Sequence, residues 1–110
     1  MVIAETAELM ITDLPSALDF IMTVQYESGC NRVAVKKEAI IEDFFRLSTG
    51  LAGEVLQKFI NYHTKLAIYG DFSHYTSKPL HDFIYECNNG NDIFFVSTLE
   101  KAEEALANAK

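Results

Sequence analysis

Two short stretches hold most of the side chains that could do chemistry. One is Asp71-Phe72-Ser73-His74-Tyr75-Thr76-Ser77, with His81 shortly after; the other is Ser48-Thr49-Gly50. In the first, Asp71 is of the right type to orient His74 or His81 as a general base, and Ser73 or Thr76 would be the hydroxyl it activates. Such a nucleophile also needs oxyanion donors in a fixed geometry, which nearness along the chain does not supply. A simpler reading has Asp71 fixing the turn after Gly70, while Thr76 and Ser77 compete to cap the next helix. A metal site from Asp71, His74 and His81 matches no common ligand spacing, so no metal and no cofactor are expected.

In the second stretch, Ser48, Thr49 and Gly50 lie just before an apolar helical stripe, with Gly53 inside its first turn. Amides exposed at a helix start, with glycines permitting close approach, suit a phosphate or a carboxylate. The structural alternative is that Ser48 or Thr49 is an ordinary cap and the small residues let the helix pack tightly on a sheet. His63 reads as structural, at a helix end where a cationic side chain is favourable. Tyr62, Tyr75 and Tyr85 read as boundary residues with an apolar body and a wet hydroxyl. Phe44, Phe45 and Phe72 fall in loops, where bulky apolar groups must fold back onto the core or meet a partner; the core is the expectation.

Those stretches need a frame, and apolar periodicity supplies one. Residues 2–5 and 9–11 suggest an N-terminal strand, or a strand and its continuation. Asp13 is a plausible N-cap with Pro15 in the first turn, Leu14, Leu18, Ile21 and Val24 share a helical face, and Gly29 ends that helix. Val33-Ala34-Val35 is a strand covered on both faces. Residues 38–47 are the least regular part, a helical turn or a packed loop.

A second helix presents Leu51, Val55, Phe59 and Tyr62, widened by Ala52 and Leu56, and ends near His63-Thr64. Lys65 to Tyr69 is the central strand. Leu80, Phe83, Ile84 and Cys87 form the buried face of a third helix, with Pro79 in its first turn and Gly90 beyond its end. Ile93 to Val96 is a further strand, and Ser97 with Glu100 has capping-box spacing for a last helix carrying Leu99, Ala102 and Leu106 inward. Alternating strands and helices predict one α/β domain over residues 1–110, with a mainly parallel sheet of four to five strands flanked by about four helices. Open sheets of this kind bind beyond the carboxyl ends of their strands, which points to residues 36–50 and 70–77.

Bulk properties narrow the function. A chain of 110 residues with 49% hydrophobic content is large enough for one core. The formal charge is -7 and Lys36-Lys37 is the one adjacent basic pair, so nucleic acid is not an expected partner. No apolar run reaches the ~20 residues of a membrane span and no signal peptide is evident, so a cytoplasmic protein is expected. Cys30 and Cys87 lie in no ligand spacing and fit a reducing compartment.

From about residue 11 onward the chain resembles an uncharacterised bacterial family, the domain of unknown function 4180. The resemblance is carried by residues 23–30, Asp43-Phe44-Phe45, Ser48-Thr49-Gly50-Leu51-Ala52-Gly53-Glu54, residues 65–73, Thr76-Ser77-Lys78-Pro79-Leu80, residues 82–86 and residues 90–95. It implies no activity. It also implies a fuller N-terminal hairpin than this chain shows, so the first strand is expected to be short. The element order and the turn at Ser48-Thr49-Gly50 are more distantly similar to sulfate-transporter and anti-sigma-factor-antagonist (STAS) domains and the SpoIIAA-like group. In the antagonists that turn holds a phosphorylated serine governing a partner; here Leu47 stands where the antagonists carry aspartate, and a longer segment precedes the turn.

The expectation is a noncatalytic regulatory or protein-binding domain of STAS-like type, able to self-associate. Ser48, Thr49, Gly50, Asp71, Ser73, His74, Tyr75, Thr76 and Ser77 are its candidate surface. Two alternatives stay open: a small-molecule, lipid or anion sensor, and a hydrolase-type enzyme using residues 71–77.

Overall fold

The computed structural model describes residues 1–6 and 8–110. Four parallel strands, β1 (Val2–Ala4), β2 (Arg32–Lys36), β3 (Lys65–Tyr69) and β4 (Ile93–Val96), lie side by side in sequence order. Each successive pair is joined by a helix: α1 (Leu14–Ser28), α2 (Leu51–Asn61) and α3 (Lys78–Asn88). A fourth, α4 (Leu99–Asn108), follows the last strand. The expected sheet and helix count hold.

Strand alternation assigns the two faces. Val33, Val35, Leu66, Ile68, Ile93 and Phe95 point into the main core with α1, α2 and α3. Ala34, Ala67, Tyr69 and Phe94 point the other way, against Ala102 and Leu106 of α4. Small residues at the centre of that second face leave room for one helix to sit close, while the larger side chains meet three. Arg32 fastens α4 by donating from its guanidinium to the carbonyls of Leu106 and Ala109 at the helix end.

The helix starts follow their caps. Asp13 accepts from the Ser16 amide while the Ser16 hydroxyl returns to the Asp13 backbone, a capping box, and Gly29 closes α1 in the left-handed region. Ser77, not Thr76, caps α3. Two cap expectations are corrected. Thr98, not Ser97, caps α4 by accepting from the Lys101 amide, because the helix begins one residue later than the Ser97–Glu100 spacing implied. At α2 the N-cap position is Gly50 at φ +76 with no side-chain cap; Thr49 instead accepts from the Leu51 amide, and Ser48 takes no part.

Gly53 does not serve tight packing either. A Cβ there would meet nothing within 4 Å, and the neighbouring Ala52 is the buried small residue. Tyr62 is likewise displaced from the apolar stripe: it is the C-cap of α2 and stands 43% exposed. The buried polar Thr64 behind it is satisfied by the Gln25 amide, which donates to its hydroxyl at 2.7 Å and to the Tyr62 carbonyl at 2.8 Å, joining α1 to the end of α2. Residues 9–11 do not extend β1 as a strand: of the three, Ile11 alone forms a bridge, an isolated parallel one with Ile40, beyond the run that pairs Val2–Ala4 with Val33–Val35.

Candidate functional site

Residues 37–49, which follow β2, are three successive 3-10 turns, Lys37–Ala39, Glu42–Phe45 and Leu47–Thr49. Phe44 and Phe45, consecutive in the second of these turns, are both buried. The loop after β3 is pressed against them. Gly70 adopts φ +155 and lies so close to Lys37 that a Cβ would fall 2.7 Å from that residue's Cβ. Only glycine gives both the dihedral and the approach.

Phe72 and Tyr75 complete an aromatic floor. The Phe45 and Tyr75 rings stack at 5.3 Å, Phe72 packs at 5.9 Å from Phe45, and Phe72 meets Phe95 of β4 edge-on at 5.8 Å. The Lys37 ammonium lies 5.1 Å above the Tyr75 ring. The Tyr75 hydroxyl donates to both carboxylate oxygens of Glu42, at 2.8 Å to Oε2. Burial first, and then the Glu42 hydrogen bond and negative charge, hold that phenol far above its ordinary value. It stays protonated and acts as a donor.

A groove of about 540 Å³ opens over this floor, lined by Glu42, Phe45, Arg46, Leu47 and Ser48 on one side and by His74, Tyr75, Thr76, Ser77, Pro79 and Leu80 on the other. Of the expected surface, Ser48, His74, Tyr75, Thr76 and Ser77 meet here. Thr49, Gly50, Asp71 and Ser73 are not among the lining residues. Thr49 is exposed, but its hydroxyl is engaged, donating toward the carbonyls of Asp43 and Arg46, 2.9 Å from each. Asp71 accepts from the Ser73 amide at 2.8 Å, and hydrogen bonds from Ser73, with a smaller contribution from the His74 and Lys37 charges, lower its pKa. Asp71 therefore holds a turn.

The hydrolase arrangement is not assembled. Asp71 is engaged with Ser73, and His81 pairs its Nε2 with the Tyr75 carbonyl at 2.6 Å. Among the described residues no histidine is hydrogen-bonded to a serine, threonine or cysteine side chain, and no three His, Cys, Asp or Glu side chains converge as a metal site would require. Burial pushes the Cys87 thiol up to about 11, away from thiolate character.

Glu42, Arg46 and Leu47 lie in the 36–50 loop that the strand ends point to, but none of the three is singled out by sequence as a site residue. Glu42 binds a partner 33 residues away, and only the alternation of its carboxylate with Phe44 and Phe45 in an irregular run hinted at one wet and one dry side.

A family model described as a domain of unknown function (DUF4180) matches residues 1–106. The chain belongs to that family. No curated protein and no solved structure matches it. In this DUF4180 domain, then, the groove must be read from its own chemistry: an aromatic floor, a tyrosine braced by a carboxylate and a lysine, and a polar rim with Arg46 and His74. No helix among the described residues is long and apolar enough to cross a membrane.

Proposed function

We propose that this DUF4180 domain is a noncatalytic, regulatory binding module of the cytoplasm that receives a segment of a protein partner in the groove between residues 42–48 and 74–80. The observation that carries this reading is that the carboxylates at the groove and His81 are spent on building it, while His74, the histidine left on its rim, is hydrogen-bonded to no serine, threonine or cysteine side chain among the described residues. Glu42 holds Tyr75, Asp71 holds its turn, and His81 holds the Tyr75 backbone. What stays available is a preformed concave surface with apolar Leu47 and Pro79 and polar Ser48, Thr76 and His74, the mixture that anchors a peptide side chain while a few donors fix its orientation.

Regulation enters at Ser48. Its hydroxyl is exposed on the rim of the groove, whereas Thr49 is tied into the turn. A phosphate at Ser48 would place about two negative charges at the mouth of the site, and the turn's resemblance to the STAS antagonists supports that use.

The test is site-specific photocrosslinking in cells, with the crosslinker at Ser48, at His74, or at Gln57 on the exposed face of α2. A common protein adduct at Ser48 and His74 that is absent at Gln57, and is lost on Leu47→Arg or Ser48→Asp, is the expected result. Equal labelling at all three positions rules the groove out as the partner site.

A further inference from the structure

A second groove lies between the outermost strand β1 and helix α1. It encloses about 520 Å³ and is lined by Val2, Ala4, Phe20, Val24, Asp19 and Glu27, with Leu9 and Met10 at one margin. β1 is the outermost strand of the sheet, and among the described residues nothing hydrogen-bonds to its outer side. The strand has one guard of an edge, its length of three residues, but Val2-Ile3-Ala4 carries no lysine, proline or bulge, and Ile3 is 40% exposed. The opposite edge is guarded, because the Asn88 side chain donates to the Phe95 carbonyl and accepts from its amide, at 3.0 and 2.7 Å, as a neighbouring strand would.

Charge and spacing say what fits. Asp19, Thr23 and Glu27 succeed one another at intervals of four on α1 and form the outer rim of the groove, while Phe20 and Val24 are buried beneath them. Neither carboxylate is in an ion pair among the described residues. Eight helical residues separate them by about 12 Å. An extended strand covers about 13 Å in four residues, and positions i, i+2 and i+4 share one face.

We infer that the free edge of β1 accepts a strand from a partner protein with the pattern basic–any–apolar–any–basic. The two basic residues sit over Asp19 and Glu27, and the apolar residue between them enters the groove above Phe20 and Val24. The backbone of the added strand satisfies the outer amides and carbonyls of β1, and the side chains choose the sequence. A second copy of the chain is disfavoured at this site, since two such edges would bring the same carboxylates together on a protein of net charge -7.

The probe is a ten-residue synthetic peptide with lysines four apart, isoleucine midway and threonine between, titrated into the full chain by calorimetry and by two-dimensional NMR. Saturable binding is expected, with shifts at Val2–Ala4 and along Asp19–Glu27. The double variant Asp19→Lys/Glu27→Lys should weaken it roughly tenfold and should turn the preference toward the same peptide with glutamate for lysine. N-methylation of alternate peptide amides should abolish binding to the unaltered protein, which keeps the test meaningful if the double variant folds poorly. The inference is overturned by no saturable binding, by equal affinity for the lysine and glutamate peptides, by shifts confined to residues 42–48 and 74–80, or by a β1-to-β1 dimer that the peptide does not dissociate.

Discussion

The two grooves are nearly equal in size, about 540 and 520 Å³, and opposite in how they are made. The one at the carboxyl ends of β2 and β3 is built from side chains that satisfy one another: Tyr75 with Glu42, Lys37 over the rings, Phe45 continuous with the core. The one beside β1 is built from groups left over: among the described residues, the outer side of the strand has no hydrogen-bonded neighbour and the two carboxylates no ion-pair partner. A self-satisfied concavity is rigid and selects by shape. An unsatisfied edge selects by what completes it. The contrast therefore predicts that damage to the first groove is felt throughout the fold, and damage to the second only in binding.

The largest effect should come from Phe45→Ala. The ring is 3% exposed and packs on Phe44, Phe72 and Tyr75, so its removal should lower the unfolding free energy by about 3–5 kcal/mol in a urea titration. Ile3→Ala at the β1 edge should cost less than about 1 kcal/mol, because that side chain is already partly in water. Similar losses from the two would erase the distinction between a built groove and an open edge.

Glycine substitutions give a second, smaller contrast. At Gly70 the φ of +155 and the 2.7 Å approach to the Lys37 Cβ should make Gly70→Ala destabilising by about 1–3 kcal/mol. At the helical, exposed Gly53 a methyl meets nothing, and Gly53→Ala should stabilise by roughly 0.5–1 kcal/mol. Thermal denaturation of the pair reads both signs at once, and a neutral Gly70→Ala would mean that the loop is not held against Lys37 as described.

Why the fold was legible and the site only half so follows from the range of the interactions. The strands at Val33–Val35 and Lys65–Tyr69, the Asp13 cap and the Gly29 stop are local signals, readable within a few residues. The meeting of residues 42–48 with 74–80 follows from the rule that strand ends share a loop layer, and it brought Ser48, His74, Tyr75, Thr76 and Ser77 together. That rule could not say which side chain in a polar loop is taken up by neighbouring backbone. Thr49 and Asp71 are consumed by backbone groups next to them, and Glu42 is recruited from across the fold by Tyr75. The β1 groove left no motif at all, since an unpaired edge becomes visible only when the neighbours of every other strand are known.

Between the sheet edges, Asn88→Ala should remove the imitation strand from β4. Two hydrogen bonds to Phe95 are lost, with an expected cost of about 1–2 kcal/mol. The clearer readout is light scattering: a newly exposed edge should raise self-association with protein concentration, and Ile3→Lys, which guards β1, should not. If Asn88→Ala stays as monodisperse as the parent protein, the asymmetry between the edges does not govern association.

The finest distinction is in pH dependence, where Tyr75 and Asp71 of the β3–α3 loop should act at opposite ends. The folded-state value of Tyr75 is raised by burial and by Glu42. Its contribution is fully present below the ordinary value of 10.0, and it declines as pH rises past that point, because the unfolded chain then loses a proton that the folded one keeps. Asp71 is lowered by its Ser73 hydrogen bonds, so its contribution is present above the ordinary value of 3.8 and disappears as pH falls through the lower folded value. Urea midpoints should therefore fall less steeply between pH 9 and 11 in Tyr75→Phe than in the parent protein. Asp71→Asn should flatten only the limb below about pH 4, and by less, since the Asp71 carboxyl is exposed and screened. A Tyr75→Phe profile that matches the parent on the alkaline side would show that the phenol is neither buried nor held by Glu42 as described. The braced groove would then lose the interaction that separates it from an ordinary loop surface.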